Sequence, residues 1–312
     1  MRVFSPDPAT IVLGQHTTLE KANAWREQMG LNEPIIEQYI DYMTKVLHGD
    51  FGVSYFTNTP VTTELLSRLP ATIELSVIAI IIASIVGVFF GIISAVKKNS
   101  IIDNFTMTTA LIGVSMPVFW LGMLLIILFS GYLHLVPSGG RIDALMRPYD
   151  GTGFYLYDTL VIGDYEAFFN ALQHAILPAV TLAGYSMAII TRMTRSSMLD
   201  VLHQDYIRTA KAKGLSSYKV IFKHAFRNAL LPIITVIGLQ FGSLLSGAVL
   251  TETVFAWPGI GAYSVQCILR SDFPVIQGVV LIVAFIFVVM NLLVDLLYAA
   301  LDPRVKYSQE SA

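Results

Sequence analysis

Charged residues are scarce in this sequence. Asp, Glu, Lys and Arg make up 13% of its 312 residues, where a soluble domain carries about a quarter. That excludes an ordinary soluble globular chain. Cysteine is scarcer still. Cys267 stands alone, so an intrachain disulfide and a cysteine-built metal cluster are both excluded. The 6 histidines are scattered, with no H-x-x-x-H pair, and no metal site is expected. No G-x-x-x-x-G-K-S/T run occurs, so the chain does not bind ATP through a phosphate loop. It shows no long repeat and no low-complexity tract.

What is abundant is apolar surface. Hydrophobic residues are 54% of the chain and the mean hydropathy is +0.64. This composition predicts an all-α integral membrane protein with about five transmembrane helices. The first runs from Leu75 to Val96, roughly 33 Å of helix, enough to cross the hydrocarbon. The second spans about Thr106 to Tyr132 and contains Pro117. The third, Ile176 to Ile190, is short and opens near Pro178. The fourth covers Leu230 to Leu250. The fifth covers Val275 to Leu301, closed by Asp302-Pro303-Arg304. The predicted division is an external amino-terminal segment over 1–73, a transmembrane domain over 74–303 and a cytoplasmic tail over 304–312. Within the first segment, helices are expected from Thr18 to Met29 and from Pro34 to Leu47, with a turn at Gly49–Gly52.

Charge sets the orientation. Lys97, Lys98, the Arg192–Arg227 loop, Arg304 and Lys306 fall on one side of five spans. On the other lie the acidic first segment and a middle loop with Asp143, Asp150, Asp158, Asp164 and Glu166 against Arg141 and Arg147. Positive charge stays inside, which places the carboxyl terminus in the cytoplasm. Within the spans Asp295 is the one ionisable candidate, and an interfacial or packing role is expected for it. Glu74 and Glu252 sit at span ends and are expected to be solvated.

The stretch from Thr191 to Pro232 is the most distinctive. Arg192, Arg195, Arg208, Lys211, Lys213, Lys219, Lys223 and Arg227 stand against Asp200 and Asp205. Val201 to Lys213 is free of Pro and Gly. Gly214 interrupts, and Ser216 or Ser217 can cap a second helix from Tyr218 to Asn228. Helix, glycine bend and helix along the membrane surface are predicted over 192–228. A solvated basic loop that only fixes topology is the alternative.

These residues resemble a known family. Asp205-Tyr206-Ile207-Arg208-Thr209-Ala210-Lys211-Ala212-Lys213-Gly214-Leu215-Ser216, with His224 to Pro232 following, is similar to the coupling loop of ABC-importer permeases of the dipeptide, oligopeptide and nickel class. The resemblance extends to Met29–Pro34, Gly49–Ser54, Arg68–Leu75, Gly113–Trp120, Glu252–Gly261 and Arg270–Pro274. It implies that the loop docks into a cleft on an ATPase subunit. The chain would catalyse nothing itself and bind no cofactor, with ATP and Mg held by partners. The implied partners are a second, similar permease, two ATPase subunits on the cytoplasmic face, an external substrate-binding protein and the lipid bilayer, with no nucleic acid. Members usually have six spans, the first ending near a Gly-Asp-Pro-Ala-like motif. Met1–Ala9 lies at the end of that place, so the first helix is expected to be missing, through truncation, a mis-assigned start or native variation.

The resemblance also offers functional candidates. Ser115 and Pro117, with Gln240 and Gly242, are candidates for the translocation path; a packing kink at Pro117 fits equally. Gly87 and Gly91, and Gly238, Gly242 and Ser246, have the spacing for close helix packing. Glu252, Phe255, Trp257, Pro258 and Gly259 are candidates for an external gate loop, with Phe255 and Trp257 at the interface. A purely structural re-entrant loop is the alternative. The middle loop, with Gly151–Phe154 and Gly163–Tyr165, resembles that of dipeptide-type permeases and points to peptides as substrate, carried by alternating access. Nickel chelates or glutathione fit the same architecture. An ion-coupled carrier would need intramembrane acids that the spans do not supply. A scaffold without transport would need neither Pro117 nor the two-helix basic loop.

Overall fold

Three short helices begin the described chain: α1 (Pro8–Leu13), α2 (Leu19–Gln28) and α3 (Ile35–Leu47). The computed structural model describes residues 7–14, 17–146 and 151–301, with the side chains at 246, 247, 295 and 297–301 excepted. Asp7 caps α1 through the Ala9 N–H and pairs with Arg26 of α2. Helices α2 and α3 fall where the sequence predicts them. Their segment is tied to the rest by Asp272, which accepts from the Ser54 hydroxyl at 2.5 Å and the Tyr55 N–H at 3.2 Å.

The first span is part of a longer helix. Helix α4 runs from Val61 to Val96, 36 residues, not from Leu75. It starts directly after Pro60, whose φ of −59° suits a helix entry. Its first turns carry Thr62, Glu64, Ser67 and Arg68. Hydropathy cannot see a helix whose opening turns are polar.

The second span is broken rather than kinked. Helix α5 (Ile101–Ser115) and helix α6 (Val118–Leu125), which continues as a wide π turn through Ile126–Tyr132, meet at 106°. Met116 and Pro117 between them are extended, with ψ of 133° and 129°. The proline ring disfavours a helical Met116 and supplies no N–H. Instead the Pro117 carbonyl accepts from the Trp120 and Leu121 N–H groups and starts α6.

The third span also outgrows its prediction. After α7 (Tyr155–Ile162), helix α8 runs from Tyr165 to Leu202 over 38 residues, with Pro178 inside. The basic stretch that begins at Arg192 is therefore first the end of α8. Helix α9 is short (Asp205–Ala212). The second surface helix predicted from Tyr218 is the start of the fourth span. Wide turns over Lys219–Phe226 lead straight into α10 (Arg227–Gly247). Helices α11 (Val249–Val254), α12 (Ile260–Arg270) and α13 (Phe273–Leu301) complete the order. Among the described residues 4 helices are long and apolar enough to cross a membrane, or up to 5 spans with the bent pair counted as one. Among the described residues no strand forms beyond a single bridge between Val53 and Pro60.

Helices α4 and α8 are the axis of the bundle. Gly87 lies against Ile190 and Gly91 against Thr194. The contacts advance together along both helices, so the two run parallel. A Cβ at Gly91 would stand 2.5 Å from the Thr194 Cβ. Leu75, Ala79 and Ala83 meet Ala175, Ala179 and Ala183 in the same seam. Small residues let the backbones approach, which is what helix packing within lipid requires. Gly238 of α10 does the same against Val294 of α13, 2.5 Å from where its Cβ would be. Met1 to Pro6, Arg147, Asp150, Asp302 to Lys306 and the side chains of Ser246 and Asp295, all used above, lie outside the described residues.

Candidate functional site

At the carboxyl ends of α4 and α8, the chain turns through His203 and Gln204 into α9. Two side chains anchor this helix. Ile207 is fully buried and Ala210 nearly so, against Ile92, Ala95, Met198 and Val220. Asp205, Tyr206, Arg208, Thr209, Lys211 and Ala212 are exposed. The spacing of three residues puts the two anchors on one face and the cations on the other. The Tyr206 hydroxyl accepts from Asn228 Nδ2 at 3.1 Å, which ties α9 to the start of α10. Arg208 and Asp205 stand 3.5 Å apart, with side chains 81% and 94% exposed; water screens such a pair and it contributes little.

Lys213 ends the helix and Gly214 turns the chain. Its φ of +73° lies in the left-handed region, and a Cβ there would meet nothing within 4 Å. The requirement for glycine is conformational, not steric crowding. Leu215 and Ser216 are exposed, and the Ser216 carbonyl accepts from the Val220 N–H to start the next helical turns. Exposed Lys219, Lys223 and Arg227 extend the basic surface.

The amino ends of α4 and α8 are built around carboxylates. Glu252 is 0% exposed. Its carboxylate accepts from the Thr72 hydroxyl at 2.7 Å and the Ala262 N–H at 2.9 Å. Thr72 Oγ1 in turn accepts from the Ile260 N–H at 2.9 Å. Gly259 and Gly261 flank the carboxylate, and a Cβ at Gly259 would overlap it. Burial pushes the Glu252 carboxyl above its ordinary range, while the hydrogen bonds donated to it pull it down. Phe255 and Trp257 are each 1% exposed. Trp257 Nε1 donates to the Ala71 carbonyl at 2.9 Å, and the Phe255 carbonyl accepts from the Gly140 N–H at 2.8 Å. Pro258 is exposed at the loop's tip.

Two expectations are corrected here. Glu74 and Glu252 are not solvated span ends, and Phe255 and Trp257 do not sit at an interface. For Glu252, Phe255 and Trp257 the reason is that the loop after α11 turns back onto α4, so these groups meet protein instead of water. Glu74 has its own partner, Arg141. Nε and Nη2 of Arg141 reach it at 3.0 and 2.5 Å, the Leu156 N–H donates to it at 2.8 Å, and the guanidinium lies 3.9 Å over the Tyr155 ring. The partners are 67 residues apart, and no local spacing signals them.

The four candidates for a translocation path do not share one site. Ser115 and Pro117 line an open cleft of about 600 Å³ at the break, with Met116 and Trp120. The Ser115 hydroxyl donates to the Leu111 carbonyl of its own helix at 2.9 Å. Gln240 turns to α8, where its Oε1 accepts from the Ser186 hydroxyl at 3.0 Å. Gly242 faces Met290 and Asn291 of α13. Among the described residues no group of His, Cys, Asp and Glu is arranged to hold a metal ion.

Residues 87–307 match the family of binding-protein-dependent transport system inner membrane components, and residues 2–76 match the amino-terminal part of such membrane components. The chain is 47% identical over 307 residues to the dipeptide transport system permease protein DppB of Escherichia coli strain K12, covering 97% of this chain and 91% of that protein. It is 44% identical over 310 residues to the di/tripeptide transport system permease protein DppB of Pseudomonas aeruginosa, covering 99% and 92%. Over 300 residues it is 47% identical to the probable D,D-dipeptide transport system permease protein DdpB of E. coli K12, covering 96% and 88%.

Proposed function

Because the chain belongs to the family of binding-protein-dependent transport system inner membrane components, we propose that it is the membrane permease subunit of an ATP-driven importer and that it translocates peptides by alternating access. One observation carries the mechanism. Helix α9 is held by Ile207 and Ala210 while its basic face, Arg208 and Lys211 with Lys213 beyond, stays open at the end of a 38-residue helix. A short, rigid, exposed helix attached to a long one receives a push and passes it on. Its cations suit an acidic cleft on an ATPase subunit. ATP and Mg are bound there, on two such subunits, and this chain performs no catalysis.

On this reading α9 and the carboxyl terminus face the cytoplasm, and the Glu252–Gly259 loop faces outward beneath a substrate-binding protein. The dense hydrogen bonding of that loop supports a role as the outer gate. A second permease completes the path, of which the cleft at Ser115 and Pro117 forms part. Peptides are the substrate by analogy with the three relatives above, whose names specify dipeptides, di/tripeptides and D,D-dipeptides.

Replacement of Gly214 by Trp tests the reading. A side chain at a φ of +73° costs about 1–2 kcal/mol of local strain and should misplace α9 without preventing membrane insertion. Peptide uptake in cells expressing the complete transporter should be lost while the amount of chain in the membrane fraction is unchanged. Normal uptake would remove α9 from the coupling step.

A further inference from the structure

We propose that the ion pair between Asp103 and Arg195 is the positioning link that makes the broken span move with α8, so that a push received at α9 reaches the bend at Met116–Pro117. This rests on the reading of α9 given above. The pair is two-pronged: Arg195 Nε meets Oδ1 at 2.7 Å and Nη2 meets Oδ2 at 2.8 Å. The Asp103 side chain is 3% exposed and that of Arg195 25%.

The carboxylate joins three elements at one point. The Ser94 hydroxyl, near the end of α4, also donates to Oδ1. The Asn99 N–H, in the turn between α4 and α5, donates to Oδ2 at 2.9 Å. Asp103 itself stands in the first turn of α5, where Ser100 caps it at 3.2 Å. Arg195 lies seven residues before the end of α8, about 10 Å along the axis. Between Ile92 and Ala95, on either side of Ser94, the same end of α4 packs on Ile207 of α9. Helix α9 and the carboxylate therefore bear on one short stretch of α4 and one short stretch of α8.

Further along, α5 and α8 touch again, where a Cβ at Gly113 would lie 3.6 Å from the Gly184 carbonyl oxygen. Beside that contact lies an apolar pocket of about 330 Å³, lined by Phe105, Thr109, Leu121 and Met187. Among the described residues the Arg195–Asp103 pair is the one side-chain hydrogen-bonded link between α5 and α8. Apolar contact is non-directional and can slide. A bidentate guanidinium–carboxylate pair fixes orientation as well as distance. The tie fixes the base of α5 on α8, so α5 follows α8 and carries the motion to its far end, the break at Pro117.

The test uses the complete transporter, assembled with its ATPase subunits and binding protein in proteoliposomes. Peptide uptake and ATP hydrolysis are measured on the same vesicles for wild type, Arg195→Met, Arg195→Lys, Asp103→Asn and the double variant Asp103→Asn/Arg195→Met. Peptide carried per ATP should fall about tenfold in Arg195→Met, with ATP hydrolysis retained. Arg195→Lys, which keeps the charge and loses the fork, should recover part of the ratio. The double variant should be no worse than the poorer single one, because both remove the same link. An unchanged ratio in an assembled Arg195→Met transporter overturns the link, as does a parallel fall of uptake and hydrolysis that Arg195→Lys does not relieve. Failure of the wild-type chain to assemble with any ATPase subunit overturns the reading of α9 along with it.

Discussion

The parallel helices α4 and α8 end in two different kinds of structure. At their amino ends Glu252, Glu74, Arg141, Thr72 and Trp257 are buried, and each has a defined partner. At their carboxyl ends Asp103 is also buried and paired with Arg195, but α9, which rests on Ile207 and Ala210, turns its cations to solvent. The difference teaches how each end is used. A buried carboxylate tolerates few geometries, because every donor lost leaves a desolvated group behind. A helix seated on two apolar side chains keeps its position without its charges, which stay in solvent.

The contrast can be broken at its stronger side first. Glu252→Ala should cost about 3 kcal/mol, since it opens a cavity and strands the Thr72 hydroxyl and the Ala262 N–H. Thermal unfolding of the detergent-solubilised protein should show a clear drop, with Glu252→Gln in between. An Ala variant as stable as wild type would mean that the buried network does not hold this end together.

At the other end, stability and function should separate. Reversing Arg208 and Lys211 to Glu should change stability by no more than about 0.5 kcal/mol, because both side chains are exposed. Uptake should nonetheless fall by about tenfold or more if the cations meet an acidic partner. A large loss of thermal stability would show that α9 is held by its charges and not by Ile207 and Ala210.

The smallest effect concerns Cys267, on the amino-end side of the contrast. It is buried, and burial, with the Asp272 and Glu64 carboxylates nearby, pushes its thiol from an ordinary 9.0 up to about 12. The folded protein should resist maleimide at neutral pH and react on unfolding. The folded thiol keeps its proton to higher pH than the unfolded one. Its contribution to stability is therefore full below about 9 and declines as pH rises from 9.0 to about 12. Rapid labelling of the folded protein would mean that α12 opens readily.

Much of the spans and of α9 was legible in the sequence. The last span, read from Val275 to Leu301, lies within α13, and the chain turns at Gly214 through a positive φ. Long apolar runs declare themselves by composition, and a left-handed turn selects glycine. Other features were not legible for specific reasons. Pro117 marks a disturbance in a helix but does not say whether the helix bends or stops; the extended backbone at Met116 and Pro117 shows that it stops. The segment from Tyr218 to Asn228 reads as a separate surface helix capped by Ser216 or Ser217, yet its backbone runs on into α10. Sequence polarity reports the company a side chain keeps and not where a helix ends.

The sequence by itself determined the class of molecule, the number of apolar spans, the basic stretch that carries α9 and the resemblance to a permease family. Each depends on local composition or on a contiguous motif. Only the tertiary structure decided that Glu74 meets Arg141, that Glu252 meets Thr72 and that Asp103 meets Arg195. Those partners stand 67, 180 and 92 residues apart in the chain. A carboxylate reads the same in sequence whether water or a guanidinium will surround it, and only the folded helices settle which.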